Sequence, residues 1–165
     1  MSDAKPQPLV VNGWTILAHP LLLEQLETLI RQVEQLRQKD AAHYQKKRLT
    51  KILAALIKLI TETLPQDPER PEYRQGDTLG DEYKHWFRAK FFQQYRLFFR
   101  YSTVTKILIF AWVNDEDSLR AYNSKSDAYA VFAKMLNAGN PPDDWAQLRK
   151  AAEAEADRLQ KALPE

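Results

Sequence analysis

One stretch of the chain, residues 83 to 102, constrains the fold more than any other. Basic and aromatic side chains alternate in it with a period of two, which is the period of a β-strand. The stretch has no acidic residue and five cations: Lys84, Arg88, Lys90, Arg96 and Arg100. It therefore predicts two strands joined by a tight loop, with one apolar row of side chains and one row rich in cations.

The length of the connecting loop decides whether the cations of both strands lie on one face. A two-residue turn at Gln93-Gln94 would put Lys90 opposite Leu97, which either buries a cation or exposes the core. A three-residue loop, Phe92 to Gln94, pairs Lys90 with Arg96, and the apolar rows then also coincide. We therefore expect the three-residue loop, although it lacks the glycine that such loops favour.

The predicted row of cations needs a partner or water. Cations on one strand face repel each other, and a nucleic-acid backbone would offset that repulsion, with stacking aromatic side chains nearby. The alternative is a solvated strand face of mixed charge, as is usual in antiparallel sheets. The complete absence of acidic residues between Tyr83 and Asn114 favours the polyanion.

The segments around the hairpin predict an α+β fold. Leu9 to Leu17 has the composition of a strand, and two amphipathic helices follow at Leu21 to Gln38 and Ala41 to Leu64. Lys106 to Asn114 is almost wholly apolar, so we expect a central strand that is covered on both faces. The expected sheet is small and antiparallel, and it combines an N-terminal strand with a three-stranded meander.

The C-terminal third of the chain predicts further helices that pack on this sheet. One helix, capped at Ser126 or Asp127, runs to Leu136. Another runs from Trp145 to about Ala162, and its alanine-rich, charged sequence predicts weak docking.

Length and composition favour a single domain over residues 1–165. We expect three parts in it: a flexible arm at 1–8, a core at 9–140 and a C-terminal helix at 143–162. The chain has no cysteine, which excludes disulfides, thiolate zinc sites and cysteine nucleophiles. With neither a membrane-length apolar run nor a signal pattern, a soluble, cytoplasmic protein without membrane contact is expected.

The side chains that remain limit the chemistry. His19, His43 and His85 lack the spacing of metal ligands, and no phosphate loop or carboxylate pair is present, so neither a metal nor a cofactor is expected. His85 is a candidate base, although its parity favours a half-buried structural role. Arginine, lysine and tyrosine suffice for metal-free RNA cleavage by the neighbouring 2′-hydroxyl, because they bind phosphate, exchange protons and stack on bases.

Several short words, in order along residues 10 to 150, resemble the YhaV family. They are Val11-Asn12-Gly13-Trp14, Ala18-His19-Pro20, Tyr95 through Ser102, Asn114-Asp115-Glu116, Leu119-Arg120-Ala121-Tyr122, Asp127-Ala128-Tyr129 through Lys134-Met135-Leu136, and Pro141-Pro142 with Asp144-Trp145. The order of a strand, two helices and a basic meander also looks like the RelE-type toxin fold. The resemblance implies the toxin of a type II toxin–antitoxin pair, a ribosome-dependent mRNA endonuclease that arrests growth. The implied partners are mRNA, the ribosome and a PrlF-type antitoxin, with operator DNA reached only through the antitoxin complex.

The resemblance also implies roles for hairpin residues. RelE-type enzymes carry two basic residues, two apart, on the strand before the hairpin, and Arg88 and Lys90 match them. Both would bind the scissile phosphate, with Lys90 as a proton carrier. Arg96 follows Tyr95, as in the family pattern, and would stabilise the phosphorane.

Two further implied roles lie beyond the third strand. Tyr122 matches the last tyrosine of the pattern and would stack on a base or assist proton transfer. The final arginine of the pattern falls near Glu116, and Arg120 is the nearest substitute. Lys84 and Arg100 would extend the track for the RNA backbone.

Two other functional classes remain open at this point. One is a non-catalytic RNA- or ribosome-binding module that blocks translation by occupancy, and the other is an interaction protein whose basic face serves only a partner. Because Arg96 faces away from the apolar row, an Arg96→Ala change is expected to alter stability by about 1 kcal/mol or less. In an enzyme it should lower the cleavage rate by roughly 10²–10³.

Overall fold

The computed structural model describes residues 8–76, 78–119 and 127–164, which form an α+β fold, as predicted. The strands are β1 (Val10–Val11), β2 (Trp14–Ala18), β3 (Phe87–Phe91), β4 (Tyr95–Ser102) and β5 (Ile107–Val113). The helices are α1 (Pro20–Lys39), α2 (Arg48–Lys58), α3 (Leu64–Gln66), α4 (Ala128–Asn137), α5 (Trp145–Glu153) and α6 (Ala156–Ala162).

The sheet is mixed, so the prediction of an antiparallel sheet is wrong at one pairing. The strand order is β1-β2-β5-β4-β3, and β2 runs parallel to β5 while the other pairs are antiparallel. The predicted N-terminal strand is itself a hairpin that turns at Asn12-Gly13, where both residues have positive φ. A parallel partner needs a long connection, and the first three helices and the basic hairpin lie between β2 and β5.

The basic hairpin has the predicted register. Lys90 pairs with Arg96 and Arg88 pairs with Phe98, across the three-residue loop Phe92 to Gln94. The first two loop residues have φ angles of 45° and 64°. Two residues other than glycine therefore adopt the left-handed conformation that the tight loop requires.

The central strand β5 is buried along its whole length, as its apolar run predicts. On one face of the sheet, α1, α2 and α6 enclose a core that includes Leu56 and Phe99. On the other face, α4 and α5 enclose a second core that includes Phe98 and Phe132. The cations of β3 and β4 belong to this second face, so they lie beside α4 and its core.

The two N-terminal helices begin at different kinds of boundary. α1 begins at Pro20, one residue before the predicted start at Leu21, and His19 caps it by accepting a hydrogen bond from Leu21 N at Nδ1 (3.1 Å). α2 begins at Arg48, later than predicted, because a 3₁₀ turn at Tyr44–Lys46 precedes it. α2 continues through a π-helical turn, Leu59–Thr63, into α3.

The C-terminal segment forms two helices, and the predicted weak docking is wrong. Leu148, Ala152 and Leu159 are buried between these helices and the sheet. Arg158 of α6 also pairs with Glu27 of α1 through two contacts from Nε, at 3.1 and 3.0 Å. The small alanine side chains of these helices allow them to pack closely on the rest of the protein. The low overall hydrophobicity of the segment gives no sign of this packing in the sequence.

Candidate active site

Three of the predicted site residues meet on the hairpin next to α4. Arg88 and Lys90 lie on β3, and Arg96 lies opposite Lys90 on β4. Lys90 is exposed and Arg88 is half-buried, whereas Arg96 is only 4% exposed. One face of the sheet therefore brings three cations together where the strands enter the loop.

A tyrosine of α4 joins two of these cations. Tyr129 Oη accepts one hydrogen bond from Arg88 Nε (2.8 Å) and one from Arg96 Nε (3.2 Å). These two lengths put the Nε atoms at most about 6 Å apart. Two unit charges at that separation repel by roughly 0.7–3 kcal/mol for effective dielectric constants of about 80 to 20. Holding like charges this close favours the binding of an anion next to them.

Backbone carbonyls fix the remainder of both guanidinium groups. Arg96 Nη1 donates to Gln93 O (2.7 Å) and to Tyr95 O (2.9 Å). Arg88 Nη1 donates to Glu72 O (2.5 Å). Within residues 8–76, 78–119 and 127–164, no hydrogen-bond acceptor contacts Nη2 of either arginine. One NH₂ group of each arginine is thus available for a phosphate oxygen.

The burial of Arg96 overturns one prediction. The side chain does face away from the row that packs under α1, as predicted, but the second core and Tyr129 of α4 enclose it. The expectation of an exposed residue is therefore wrong. Because replacement would remove this donor from the buried Tyr95 carbonyl and empty the space of a buried side chain, we expect a loss of stability above 1 kcal/mol.

The two residues predicted to extend the RNA track lie toward the other end of β3 and β4. Arg100 lies 5.5 Å from the ring centre of Trp86 and 5.2 Å from that of Trp145, and Nη1 donates to Asp143 O (2.5 Å). Burial lowers the pKa of Arg100. Lys84 is exposed, and its Nζ lies 3.2 Å from Asp81 Oδ1. Arg100 thus anchors the loop before α5, and an RNA contact of either residue stays a prediction.

The remaining candidates have different outcomes. Arg120 and Tyr122 lie outside the described residues, so their roles stay predictions. His85 is half-buried as predicted, and its Nε2 lies 2.6 Å from Asp143 Oδ1. The same carboxylate oxygen accepts a hydrogen bond from Trp86 Nε1 (2.8 Å), so this contact ties the start of β3 to the loop before α5.

Sequence reasoning misses two residues of this site. Helical spacing predicts that Tyr129 faces inward, but it does not show what the hydroxyl contacts. Asn114 follows the apolar run of β5; its Oδ1 accepts from Arg96 N (2.6 Å) and its Nδ2 donates to Gln94 O (2.9 Å). Asn114 therefore fixes the hairpin loop to the end of the central strand. Its signals in the sequence are its position directly after a buried run and its place in one of the words resembling the YhaV family.

A second polar cluster lies on the opposite face of the same end of the sheet. Tyr95 Oη donates to Glu116 Oε1 (2.7 Å) and accepts from Arg48 Nη2 (3.1 Å), and Arg48 Nε lies 2.9 Å from Glu116. Burial, with the bond to Glu116, raises the pKa of Tyr95. Tyr95 and Glu116 line a cleft of about 480 Å³ that is also bordered by α1, the start of α2 and the end of β5. Glu116, near which the RelE-type pattern invoked above would have its final arginine, is thus already paired with a cation.

Two absences hold for the part of the chain that the structure describes. No group of three or more histidine and carboxylate side chains there is placed to hold a metal ion. No helix in that part has both the length and the apolar character needed to cross a membrane.

Fold and site together define a class, an α+β protein with a cationic face on its sheet. On that face the hydroxyl of a tyrosine fixes two guanidinium groups, an arrangement that suits the binding of a phosphodiester. Comparison with known proteins identifies the family. Residues 16–153 match the model of the YhaV toxins, described as a toxin with endonuclease activity, of toxin–antitoxin system. The chain therefore belongs to the YhaV toxin family, as its sequence words predict.

Individual relatives agree with this family. Ribonuclease toxin YhaV of Escherichia coli (strain K12) is 47% identical over 148 residues, which cover 88% of this chain and 96% of the relative. Toxin YhaV of Escherichia coli O157:H7 gives the same values. No solved structure gives a significant match. The endonuclease activity of the family favours an enzyme over the two non-catalytic alternatives.

Proposed function

We propose that this chain cleaves mRNA on the ribosome, without a metal ion, as the toxin of a type II toxin–antitoxin pair. The observation that carries the proposal is the convergence of Arg88 and Arg96 on one phenol oxygen. This convergence fixes both guanidinium groups, so that a phosphate bound to their Nη2 atoms would have both cations on the same side. The name of the relative, Ribonuclease toxin YhaV, supports RNA as the substrate.

The proposed reaction uses the 2′-hydroxyl of the substrate. Its oxygen loses a proton and bonds to phosphorus, the bond between phosphorus and the 5′-oxygen breaks, and the 5′-oxygen takes up a proton. The products are a 2′,3′-cyclic phosphate and a 5′-hydroxyl. Arg88 and Arg96 stabilise the charge of the phosphorane, Lys90 carries a proton, and Tyr122 stacks on a base or assists proton transfer. Arg120 stands in for the final arginine of the RelE-type pattern.

The same proposal extends to fold and partners. The order of an N-terminal hairpin, two helices and a basic meander supports a RelE-like fold. Membership of a toxin–antitoxin family supports an antitoxin, which we propose to be PrlF-type and to bring the complex to operator DNA. A ribosomal substrate places the activity in the cytoplasm.

The proposal is tested with purified protein and ribosomes that translate a defined mRNA, in parallel with the same mRNA alone. Mapping of 5′ ends over time is expected to show new ends at the ribosomal A site only. Lys90→Ala should slow cleavage at least tenfold, whereas Lys150→Ala, at an exposed position of α5, should not. Stalled ribosomes on intact mRNA would support the non-catalytic module. Equal cleavage of free mRNA would remove the ribosome from the proposal.

Metal independence needs a separate design, because ribosomes require magnesium to stay assembled. Chemically crosslinked ribosomes keep their integrity in excess chelator. We expect cleavage to persist in them. Loss of cleavage in intact crosslinked particles, restored by a divalent cation, would contradict the metal-free step.

A further inference from the structure

We infer that Tyr129 is a positioning residue of this nuclease, whose hydroxyl sets the relative placement of the Arg88 and Arg96 guanidinium groups. The inference rests on the proposed function and deepens it. It concerns a helix residue that lies in one of the words resembling the YhaV family, but to which neither the pattern of the hairpin nor the family description assigns a role.

The first support is the geometry of the shared oxygen. Tyr129 is 4% exposed, and its Oη accepts from Nε of both arginines, at 2.8 and 3.2 Å. Nε is the nitrogen next to the aliphatic stem, so a bond to it fixes the plane of the guanidinium group and directs the outer nitrogens. One atom thus orients two cations that otherwise repel each other.

The second support is that Tyr129 is itself held independently of the arginines. Asp127 caps α4 and its carboxylate accepts from Tyr129 N (3.0 Å). The Tyr129 ring stands edge-on to Phe98, with ring centres 5.5 Å apart and an interplanar angle of 89°. Phe98 pairs with Arg88 across the hairpin. Helix cap and core packing therefore place the hydroxyl, and the hydroxyl places the arginines.

Loss of the hydroxyl should affect the rate more than binding. Without the shared acceptor, the acceptors that remain among the described residues are the carbonyl of Glu72 for Arg88 and the carbonyls of Gln93 and Tyr95 for Arg96. Both cations stay near the RNA and continue to attract it. Their mutual repulsion, however, changes the relative orientation of the two guanidinium groups. Interactions that matter mainly in the transition state appear in the rate of the bound complex, whereas uniform binding appears in the affinity.

The test is Tyr129→Phe, which keeps the ring and removes one oxygen. Wild type must first cleave ribosome-bound mRNA, which tests the proposed function alone. The variant is then expected to show a 10- to 100-fold lower single-turnover rate, with ribosome affinity within about twofold. The matched control is Tyr83→Phe, which removes another buried hydroxyl that donates to α4, at Asn137, and contacts neither arginine. Its rate and affinity should stay within about twofold of wild type.

A double-mutant cycle separates positioning from a general structural effect. If Tyr129 acts through Arg88, Tyr129→Phe should lower the rate by a smaller factor in an Arg88→Ala background than in wild type. The factor in that background should be less than half of the factor in wild type. Unchanged cleavage by a folded Tyr129→Phe protein would overturn the inference. The same follows if the two substitutions act as independent factors, or if Tyr83→Phe causes an equal loss of rate.

Discussion

An Arg96→Ala substitution is expected to destabilise the protein by about 2–4 kcal/mol. The side chain donates to Gln93 O, Tyr95 O and Tyr129 Oη while being only 4% exposed. A buried acceptor left without its donor costs about 1–3 kcal/mol. Gln93 lies in an exposed loop where its carbonyl can regain water, and Tyr129 Oη keeps its bond from Arg88. The Tyr95 carbonyl and the lost packing of the buried Arg96 side chain therefore determine the loss. Relief of the repulsion with Arg88 offsets part of it.

Urea unfolding followed by tryptophan fluorescence measures this free energy, provided that all proteins share one transition slope. The matched control is Lys90→Ala, because Lys90 pairs directly with Arg96 in the hairpin but is exposed. It should change the free energy of unfolding by less than about 1 kcal/mol. The melting temperature should fall by about 5–15 °C for Arg96→Ala, given the size of the chain.

Equal unfolding midpoints for Arg96→Ala, Lys90→Ala and wild type would refute the argument from burial. Arg96→Lys refines the test, because lysine keeps the charge but not the planar fork, and an intermediate stability is expected. Arg96 supports both the fold and the proposed chemistry. Cleavage must therefore be compared at a temperature where each protein is folded, and there the alanine variant should still lose a factor of roughly 10²–10³.

Three further predictions concern pH, packing and the partner. Burial lowers the pKa of His19 from 6.5 to about 4, so the folded state binds fewer protons than the unfolded chain between these values. Stability should be complete above pH 6.5 and fall by at most about 3 kcal/mol toward pH 4. His19→Asn keeps a helix cap but has no imidazole. When the free energy of unfolding is measured from pH 7 to 4, the variant should lack the fall that the protonation of His19 causes. Gln25 bonds both backbone groups of Val113, at 2.6 and 3.1 Å, so Gln25→Leu should lower the free energy of unfolding by about 2–3 kcal/mol, unlike Gln32→Leu at an exposed site. The antitoxin is expected to cover the cationic face with an acidic or apolar segment, so its affinity should fall with salt and with Lys90→Glu in titrations; an affinity unchanged by both would place the contact elsewhere.

The register of the hairpin is predictable because burial enforces it. A shift of one residue would move Leu97 and Phe99 out of the core and put Arg96 and Arg100 into it. That penalty is large enough to force left-handed φ angles on two loop residues that are not glycine. The burial of β5 follows in the same way from its apolar run.

Other features have no comparable signal in the sequence. The parallel pairing of β2 with β5 joins segments almost a hundred residues apart, and no turn between them specifies it. The packing of α4 against the row of cations is equally invisible in the sequence. A strand face that contacts water and one that contacts a tyrosine hydroxyl show the same alternation of polar and apolar residues. Arg96 therefore looks exposed in the sequence and is buried in the fold.

This cover decides how the two arginines can act. Arg96 is desolvated and close to Arg88, and both effects oppose folding, while Tyr129 and three backbone carbonyls offset them. The guanidinium groups are thus already oriented in the protein alone, and the proposed reaction would need no reorganisation of them. A phosphodiester carries one negative charge and the phosphorane formed from it carries two. In the proposed reaction, a fixed pair of cations interacts with two negative charges in the phosphorane and with one in the bound RNA, so it would stabilise the transition state more than the bound RNA.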